Sequence, residues 1–146
     1  MRRIVVDTKK DSFLILQSIT NLTPTNIVGK CTLKDMSYFL ALESCAQLGA
    51  FHIRYLEQFN RHAFLLKIKS FSVVMPQAVN QELVIVGDMT ARSNDVFSYT
   101  ITIKCESIST IATGFFLFAV KEYDNELEKV NFRKYYEKAF SCLINA

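Results

Sequence analysis

The sequence is poor in the residues that interrupt regular structure: four glycines, two prolines and no tryptophan among 146 residues. Together with a 50% share of apolar residues, this excludes a disordered linker protein and a collagen-like repeat. Charge of one sign is also scarce, because the net charge is only +3 and the basic residues are scattered. A strongly basic nucleic-acid-binding protein is therefore excluded, and the length predicts a single domain over 1–146.

Closely spaced cysteines are absent as well. No C-x-x-C pair and no neighbouring histidine accompany the four cysteines, so the sequence predicts neither a zinc site nor a disulfide framework. We interpret them as buried or inert thiols of a cytoplasmic protein, and no metal or organic cofactor is implied. No segment is long and apolar enough for a signal-peptide core or a membrane span. The cysteines are Cys31, Cys45, Cys105 and Cys142.

Apolar periodicity divides the chain into strands and two helices. Period-two alternation is clearest over 96–105, where Phe97, Tyr99, Ile101 and Ile103 alternate with polar residues. Asp35 is a suitable N-cap for a long helix, and aromatic residues four apart near the end of the chain indicate an amphipathic C-terminal helix. The predicted strands are 13–22, 27–33, 64–74, 82–92, 96–105 and 108–120, and the predicted helices are 36–60 and one within 125–146.

This order of elements predicts an α+β fold. The apolar residues of the first helix occupy almost every angle around its axis through Ala50, so we expect the helix to be enclosed on most sides. A long central helix wrapped by a mainly antiparallel sheet is the hotdog architecture. Because such a sheet has exposed edges, we also expect at least a dimer.

The most unusual residue of the long helix is Glu43, which lies among apolar neighbours. An unpaired buried carboxylate would be costly. Gln47 follows at i+4 on the same face and can donate a hydrogen bond to it. Two interpretations stay open: Glu43 is a structural carboxylate satisfied by Gln47, or it belongs to a functional site.

The segment 42–50, with its glutamate, small or apolar residues and glutamine at i+4, resembles the central-helix motif of the FabZ and FabA family of 3-hydroxyacyl-ACP dehydratases. Met36 matches the methionine that opens this helix in the FabZ type, and 64–70 is similar to the strand after it. Pro76 and 13–16 also match in order and spacing. The resemblance spans roughly 12–120 and implies a hotdog core there, an N-terminal segment over 1–11 and a C-terminal extension over 125–146.

The chain departs from that family at the catalytic histidine, which the family places about fourteen residues before the acid. That position is Gly29, and no histidine occurs in 29–38. His52 is nine residues after Glu43 and falls on the opposite side of the helix, so we interpret it as a helix-side polar residue. We interpret His62 as a solvated loop residue.

Three functions follow from the resemblance. The first is a dehydratase, or a dehydratase subunit, of a fatty-acid or polyketide-type pathway with Glu43 as the surviving acid or base and Gln47 beside it. Homologues of the ApeP type in aryl-polyene pathways, which the chain also resembles, lack the histidine too. The second is a hotdog acyl-thioesterase that uses Glu43 as nucleophile or base. The third is a non-catalytic subunit that binds an acyl carrier or a partner.

The resemblance also implies a substrate tunnel and partners. The partners are an acyl thioester or acyl carrier protein and a second hotdog subunit, identical or related. The basic residues Arg54, Arg61, Lys67 and Lys69 are candidates for contact with an acidic carrier. The predicted tunnel residues are Met36, Phe39, Leu40, Phe64, Leu66 and Ile68.

Overall fold

Eight strands and two helices make up the structure, a computed structural model that describes residues 5–6, 12–33, 38–74, 81–105 and 110–146. The predicted N-cap Asp35, and Met36 and Pro76 of the dehydratase resemblance, lie outside these residues. The elements are β1 (Val5–Val6), β2 (Ser12–Phe13), β3 (Ser18–Leu22), β4 (Asn26–Leu33), α1 (Tyr38–Leu56), β5 (His62–Val73), β6 (Gln81–Arg92), β7 (Val96–Lys104), β8 (Thr110–Lys121) and α2 (Glu126–Ile144).

Six of the strands form one antiparallel sheet in the order β3-β4-β6-β7-β8-β5, while β1 and β2 form a separate short pair. The sheet packs against α1, and α2 follows the last strand. The predicted α+β class and hotdog architecture are confirmed. The segment 13–22, predicted as one strand, is divided by the irregular residues 14–17 into β2 and β3.

The core lies between the sheet and α1. Phe97, Tyr99, Ile101 and Ile103 on β7 are fully buried, as their alternation predicts. Gly49 on α1 faces the ring of Phe118 on β8, and a Cβ at this position would overlap that ring. Glycine therefore lets the helix backbone lie close to the sheet.

The enclosure of α1 is less complete than its composition predicts. Residues 48–54 are buried, but the first turn is not covered, since Tyr38 and Phe39 are 57% and 68% exposed. The composition of a helix shows that all its sides are apolar. It does not show whether other parts of the same chain cover every side. The uncovered first turn leaves an apolar surface beside the candidate site.

The helix α1 ends at Leu56 and not at Asn60 as predicted. Gln58 and Phe59 adopt left-handed backbone angles, with φ of 55° and 60°. The Phe59 N–H donates to the carbonyl oxygen of Arg54 at 2.7 Å and the Gln58 N–H to that of Tyr55 at 3.0 Å. These two bonds are those of a Schellman C-cap. Neither residue is glycine, so the usual sequence signal for the end of a helix is absent here.

The helix α2 begins at an Asn125 N-cap, whose side-chain oxygen accepts a hydrogen bond from the Glu128 N–H at 2.8 Å. The ring of Phe140 lies against three aromatic rings of α1 and the turn after it, those of Phe51, Tyr55 and Phe59, at centroid distances of 6.2, 5.6 and 5.4 Å. The C-terminal helix is therefore part of the packed domain.

His52 connects α1 to the far side of the core. Its Nε2–H donates to the carbonyl oxygen of Thr23 at 2.8 Å, so Nδ1 is the unprotonated nitrogen and accepts from the Tyr99 hydroxyl at 2.5 Å. Burial lowers the pKa of His52, the bond to Thr23 opposes this shift, and the Arg92 cation adds to it. His52 faces away from Glu43, as the helical angle predicts, and it is a core residue.

A neutral buried histidine makes stability depend on pH. Below its ordinary pKa near 6.5 the unfolded chain binds the proton more readily than the folded chain. The free energy of unfolding should therefore fall as the pH drops from about 7.5 to about 5.5. Each such histidine contributes at most about 1.4 kcal/mol per pH unit. Urea titrations should show a smaller pH dependence in His52→Asn than in the wild type. Equal slopes in the two proteins would contradict this role.

Candidate functional site

A pocket of about 510 Å³ runs along α1 on the side away from His52. Its size is in the range of ligand pockets. One wall is a stripe of α1, the others come from β5, from the residues after β2 and from α2. The lining residues are Leu14, Phe39, Glu43, Ala46, Gln47, Ala50, Phe51, Arg54, Ala63, Phe64, Leu65, Tyr135 and Tyr136.

Glu43 and Gln47 form the polar part of the wall near the start of α1. The Gln47 side-chain N–H donates to Glu43 Oε1 at 3.2 Å, and Gln47 Oε1 accepts from the Ile15 N–H at 2.9 Å. The second bond fixes which end of the amide faces Glu43. Among the described residues no cation forms an ion pair with Glu43. A half-buried carboxylate is thus oriented by a neutral donor inside a largely apolar pocket.

The predicted tunnel residues are placed differently from one another. Phe39 and Phe64 line the pocket, but Leu40 and Ile68 pack against the core and Leu66 is 53% exposed on β5. The register of β5 shifts at two irregularities, between Leu65 and Lys67 and between Ile68 and Ser70. These shifts break the alternation on which a sequence assignment of inward residues depends. Met36 lies outside the described residues.

Sequence reasoning missed the far half of the pocket. Ala46, Ala50 and Arg54 continue the stripe of Glu43 at helical spacing, which a count along the helix could have shown. Tyr135 and Tyr136 come from α2, and no local pattern indicates which element that helix covers. The pocket is therefore longer than the Glu43 end alone predicts.

Arg54 and Arg61 do not form a common basic surface. Arg54 is 7% exposed and its Nη2 donates to the carbonyl oxygen of Ala63 at 3.0 Å. Arg61 pairs with Glu57 and Asp95, and these partners hold its guanidinium at the end of the β6–β7 hairpin. The hypothesis that both contact an acidic carrier is wrong for Arg54, because its guanidinium is buried.

His62 is the first residue of β5 and not a solvated loop residue. Its ring is half-buried among Phe64, Tyr123 and Phe132, at centroid distances of 6.1, 5.8 and 5.9 Å. Burial and the positive charge of Arg54 lower its pKa. His62 is absent from the pocket lining, so it does not supply the histidine that dehydratases place beside their acid.

The remaining findings concern the cysteines, metal ligands and helix hydrophobicity in the part of the chain that the structure describes. Burial raises the pKa of the Cys31 thiol to about 12 and that of Cys45 further, so neither is a thiolate near neutral pH. Cys142, in contrast, is exposed. No group of three His, Cys, Asp or Glu residues in the described ranges could hold a metal ion. Neither helix is apolar enough over its length to cross a membrane.

Several solved structures share this architecture. A hypothetical thioesterase of Streptococcus pneumoniae, solved with coenzyme A, is 11% identical with a TM-score of 0.64 over 74% of this chain and 90% of its own. A Streptococcus mutans protein bound to acetyl-CoA is 12% identical with a TM-score of 0.63 over 80% and 97% of the two chains. The PaaI protein from the phenylacetic acid degradation operon of E. coli is 11% identical, with a TM-score of 0.62 over 70% and 77%.

These similarities establish the hotdog fold of the chain. No family model and no curated protein matches the sequence. Proteins named as thioesterases, and proteins solved with coenzyme A or acetyl-CoA, are among the structural neighbours. The comparisons thus support the hotdog fold without supporting the FabZ and FabA family in particular.

Proposed function

We propose that the protein is an acyl-thioester hydrolase whose pocket beside α1 holds the acyl chain and whose base is Glu43. The observation that carries the proposal is a carboxylate, oriented by Gln47, in the wall of a long and mostly apolar pocket. The structural neighbours that are named as thioesterases or were solved with coenzyme A or acetyl-CoA support the same chemistry. They favour the thioesterase alternative over the dehydratase.

The composition of the pocket favours hydrolysis on chemical grounds. Dehydration needs a base for the α-proton and an acid for the departing hydroxyl group. Hydrolysis needs one base to activate water, because the thiolate is a good leaving group. Among the described residues Glu43 is the single carboxylate that lines the pocket, and no histidine lines it. One carboxylate therefore meets the requirement of hydrolysis and does not meet that of dehydration.

The reaction follows from this arrangement. The Glu43 carboxylate takes a proton from water, and the water oxygen forms a bond to the thioester carbonyl carbon. The C–S bond then breaks, and the proton held by Glu43 passes to the thiolate. The products are a carboxylic acid and a thiol. Direct attack by Glu43 would require a mixed anhydride, which lies above a thioester in free energy, so activation of water is the easier route.

Mass spectrometry distinguishes this function from its alternative. Purified protein is incubated with octanoyl-CoA, with 3-hydroxyoctanoyl-CoA and with the corresponding 2-enoyl-CoA. We expect free acid and coenzyme A from the saturated thioester. Interconversion of the hydroxyacyl and enoyl thioesters without free acid would establish a dehydratase instead. A carrier-protein partner and a cytoplasmic location stay predictions, and a carrier-linked octanoyl thioester in a parallel reaction tests the former.

We further propose that the active form is a dimer joined along β5. This strand is at the end of the sheet, pairs only with β8 among the described strands, and is 12 residues long. A long edge that exposes Leu65 and Leu66 is a surface on which another strand can pair. Because Phe64 and Leu65 also line the pocket, a partner on this edge would lie beside the site.

The dimer is tested by Leu66→Asp. A buried carboxylate on each side of a pairing edge should convert the dimer to a monomer, which light scattering coupled to size-exclusion chromatography measures directly. Val130→Asp is the matched control, because Val130 has a similar exposure of 56% but lies on α2. A wild type that is monomeric at micromolar concentration, or a Leu66→Asp variant as dimeric as the control, would contradict the proposal.

A further inference from the structure

The far end of the pocket contains a buried cation, the guanidinium of Arg54. Arg54 is 7% exposed and lines the pocket, and no carboxylate among the described residues forms an ion pair with it. Its Nε–H is buried and has no hydrogen-bond partner in the part of the chain that the structure describes. Such a group is costly to bury, and the cost is offset when an anion or an acceptor approaches it.

The other neighbours of Arg54 do not neutralise it. The guanidinium carbon lies 3.7 Å from the ring centroid of Tyr136 and 5.7 Å from that of Phe51, and Nη2 donates to a backbone carbonyl. The ring faces attract the cation but carry no net charge. Burial lowers the pKa of Arg54, while the hydroxyl groups of Tyr136, Tyr123 and Tyr135 oppose that shift.

Arg54 and Glu43 are at opposite ends of one face of α1. They are eleven residues apart, which places them about 20° from each other around the helix axis and about 16 Å apart along it. Ala46 and Ala50 lie between them and leave room for a chain along the helix. The pocket therefore has a carboxylate at one end, a guanidinium at the other and an apolar passage between.

We propose that Arg54 forms an anion subsite, and that the preferred substrate is an acyl thioester whose acyl group ends in a carboxylate. This inference rests on the proposed function, since it places the thioester at Glu43 and the terminal carboxylate at Arg54. The Nε–H donates to a carboxylate oxygen in a charge-assisted hydrogen bond. Glu43 itself repels a carboxylate, so the two ends of the pocket orient the acyl group in one direction.

Matched pairs of thioesters test the subsite. Adipoyl-CoA is compared with hexanoyl-CoA, and suberoyl-CoA with octanoyl-CoA, because each pair differs only in the terminal carboxylate. In the wild type we expect kcat/KM to favour the dicarboxylic member of at least one pair by about 10-fold or more. In Arg54→Met the ratio should fall by about 10- to 100-fold. Arg133→Met, which removes an exposed arginine paired with Glu137, should leave the ratio as in the wild type.

A purely structural Arg54 gives a different result. If Arg54 only holds Tyr136 and Ala63, Arg54→Met lowers kcat/KM for both members of a pair equally, and the unchanged ratio overturns the proposal. If Arg54 instead binds a phosphate of coenzyme A, Arg54→Met again lowers kcat/KM equally for both thioesters of a pair. The same acyl groups on N-acetylcysteamine, which carries no phosphate, should keep the carboxylate preference in the wild type. Loss of that preference on the phosphate-free thiol overturns the proposal.

A binding measurement keeps the subsite testable apart from hydrolysis. We expect octanoate to raise the Tm of the wild type more than octanol does, and this difference to be lost in Arg54→Met or Arg54→Gln, whichever folds. Stabilisation by octanoate without turnover of any thioester supports the subsite and refutes the proposed hydrolase. Rapid hydrolysis with neither carboxylate preference nor stabilisation by octanoate refutes the subsite and leaves the hydrolase standing.

Discussion

Replacement of Glu43 by glutamine should lower kcat for acyl-CoA hydrolysis by about 10²- to 10⁴-fold, the usual contribution of a general base. The amide has nearly the same shape as the carboxylate and still accepts the hydrogen bond from Gln47. The acyl pocket is therefore retained, and KM should change little. Release of coenzyme A, followed with a thiol reagent at several substrate concentrations, separates the two parameters.

Glu82→Gln is the control for this prediction. Glu82 is an exposed carboxylate on β6 that pairs with Lys30 at 3.3 Å, so its loss removes the same charge without touching the pocket. Its kcat should equal that of the wild type. A Glu43→Gln variant with the kcat of this control would refute the catalytic role of Glu43, even if the wild type hydrolyses thioesters.

Replacement of Phe140 by alanine should destabilise the domain by about 3–5 kcal/mol, which lowers the Tm by roughly 10 °C. Phe140 is buried against the rings of Phe51, Tyr55 and Phe59, so its truncation removes these contacts and leaves a cavity. Chemical denaturation measures the change in the free energy of unfolding.

The control for Phe140→Ala is Leu127→Ala on the same helix. Leu127 is 72% exposed, and its truncation should cost less than about 0.5 kcal/mol. Because Tyr135 and Tyr136 belong to α2, Phe140→Ala should also weaken acyl binding, which Leu127→Ala should not do. Equal unfolding free energies for the two variants would mean that α2 contributes little to the domain.

Much of the fold could be predicted from the sequence because periodicity reports burial directly. The alternation on β7 and the long apolar helix each follow from one local pattern, and their order predicts the hotdog arrangement. Helix α1 ends before the predicted Asn60 because two non-glycine residues, Gln58 and Phe59, adopt left-handed backbone angles. Such strain is set by the tertiary structure and leaves no mark in composition.

The site could be predicted in part. Glu43 and Gln47 stand out because polar residues at i and i+4 interrupt an apolar helix. Arg54 belongs to the same stripe, but an arginine near a helix end usually reaches solvent, and only the packing of Tyr136 over it shows that it is buried. Long-range contacts between α1, β5 and α2 therefore decide the far half of the pocket.

A single-turnover reaction in oxygen-18-labelled water tests the central claim most directly. Enzyme in excess is mixed with octanoyl-CoA, and both the octanoic acid and the peptide that contains Glu43 are analysed by mass spectrometry. If Glu43 activates water, the label enters the octanoic acid in the first turnover and the Glu43 peptide stays unlabelled. Labelled Glu43 with unlabelled acid would contradict general-base catalysis, and the absence of any acid would contradict the hydrolase itself.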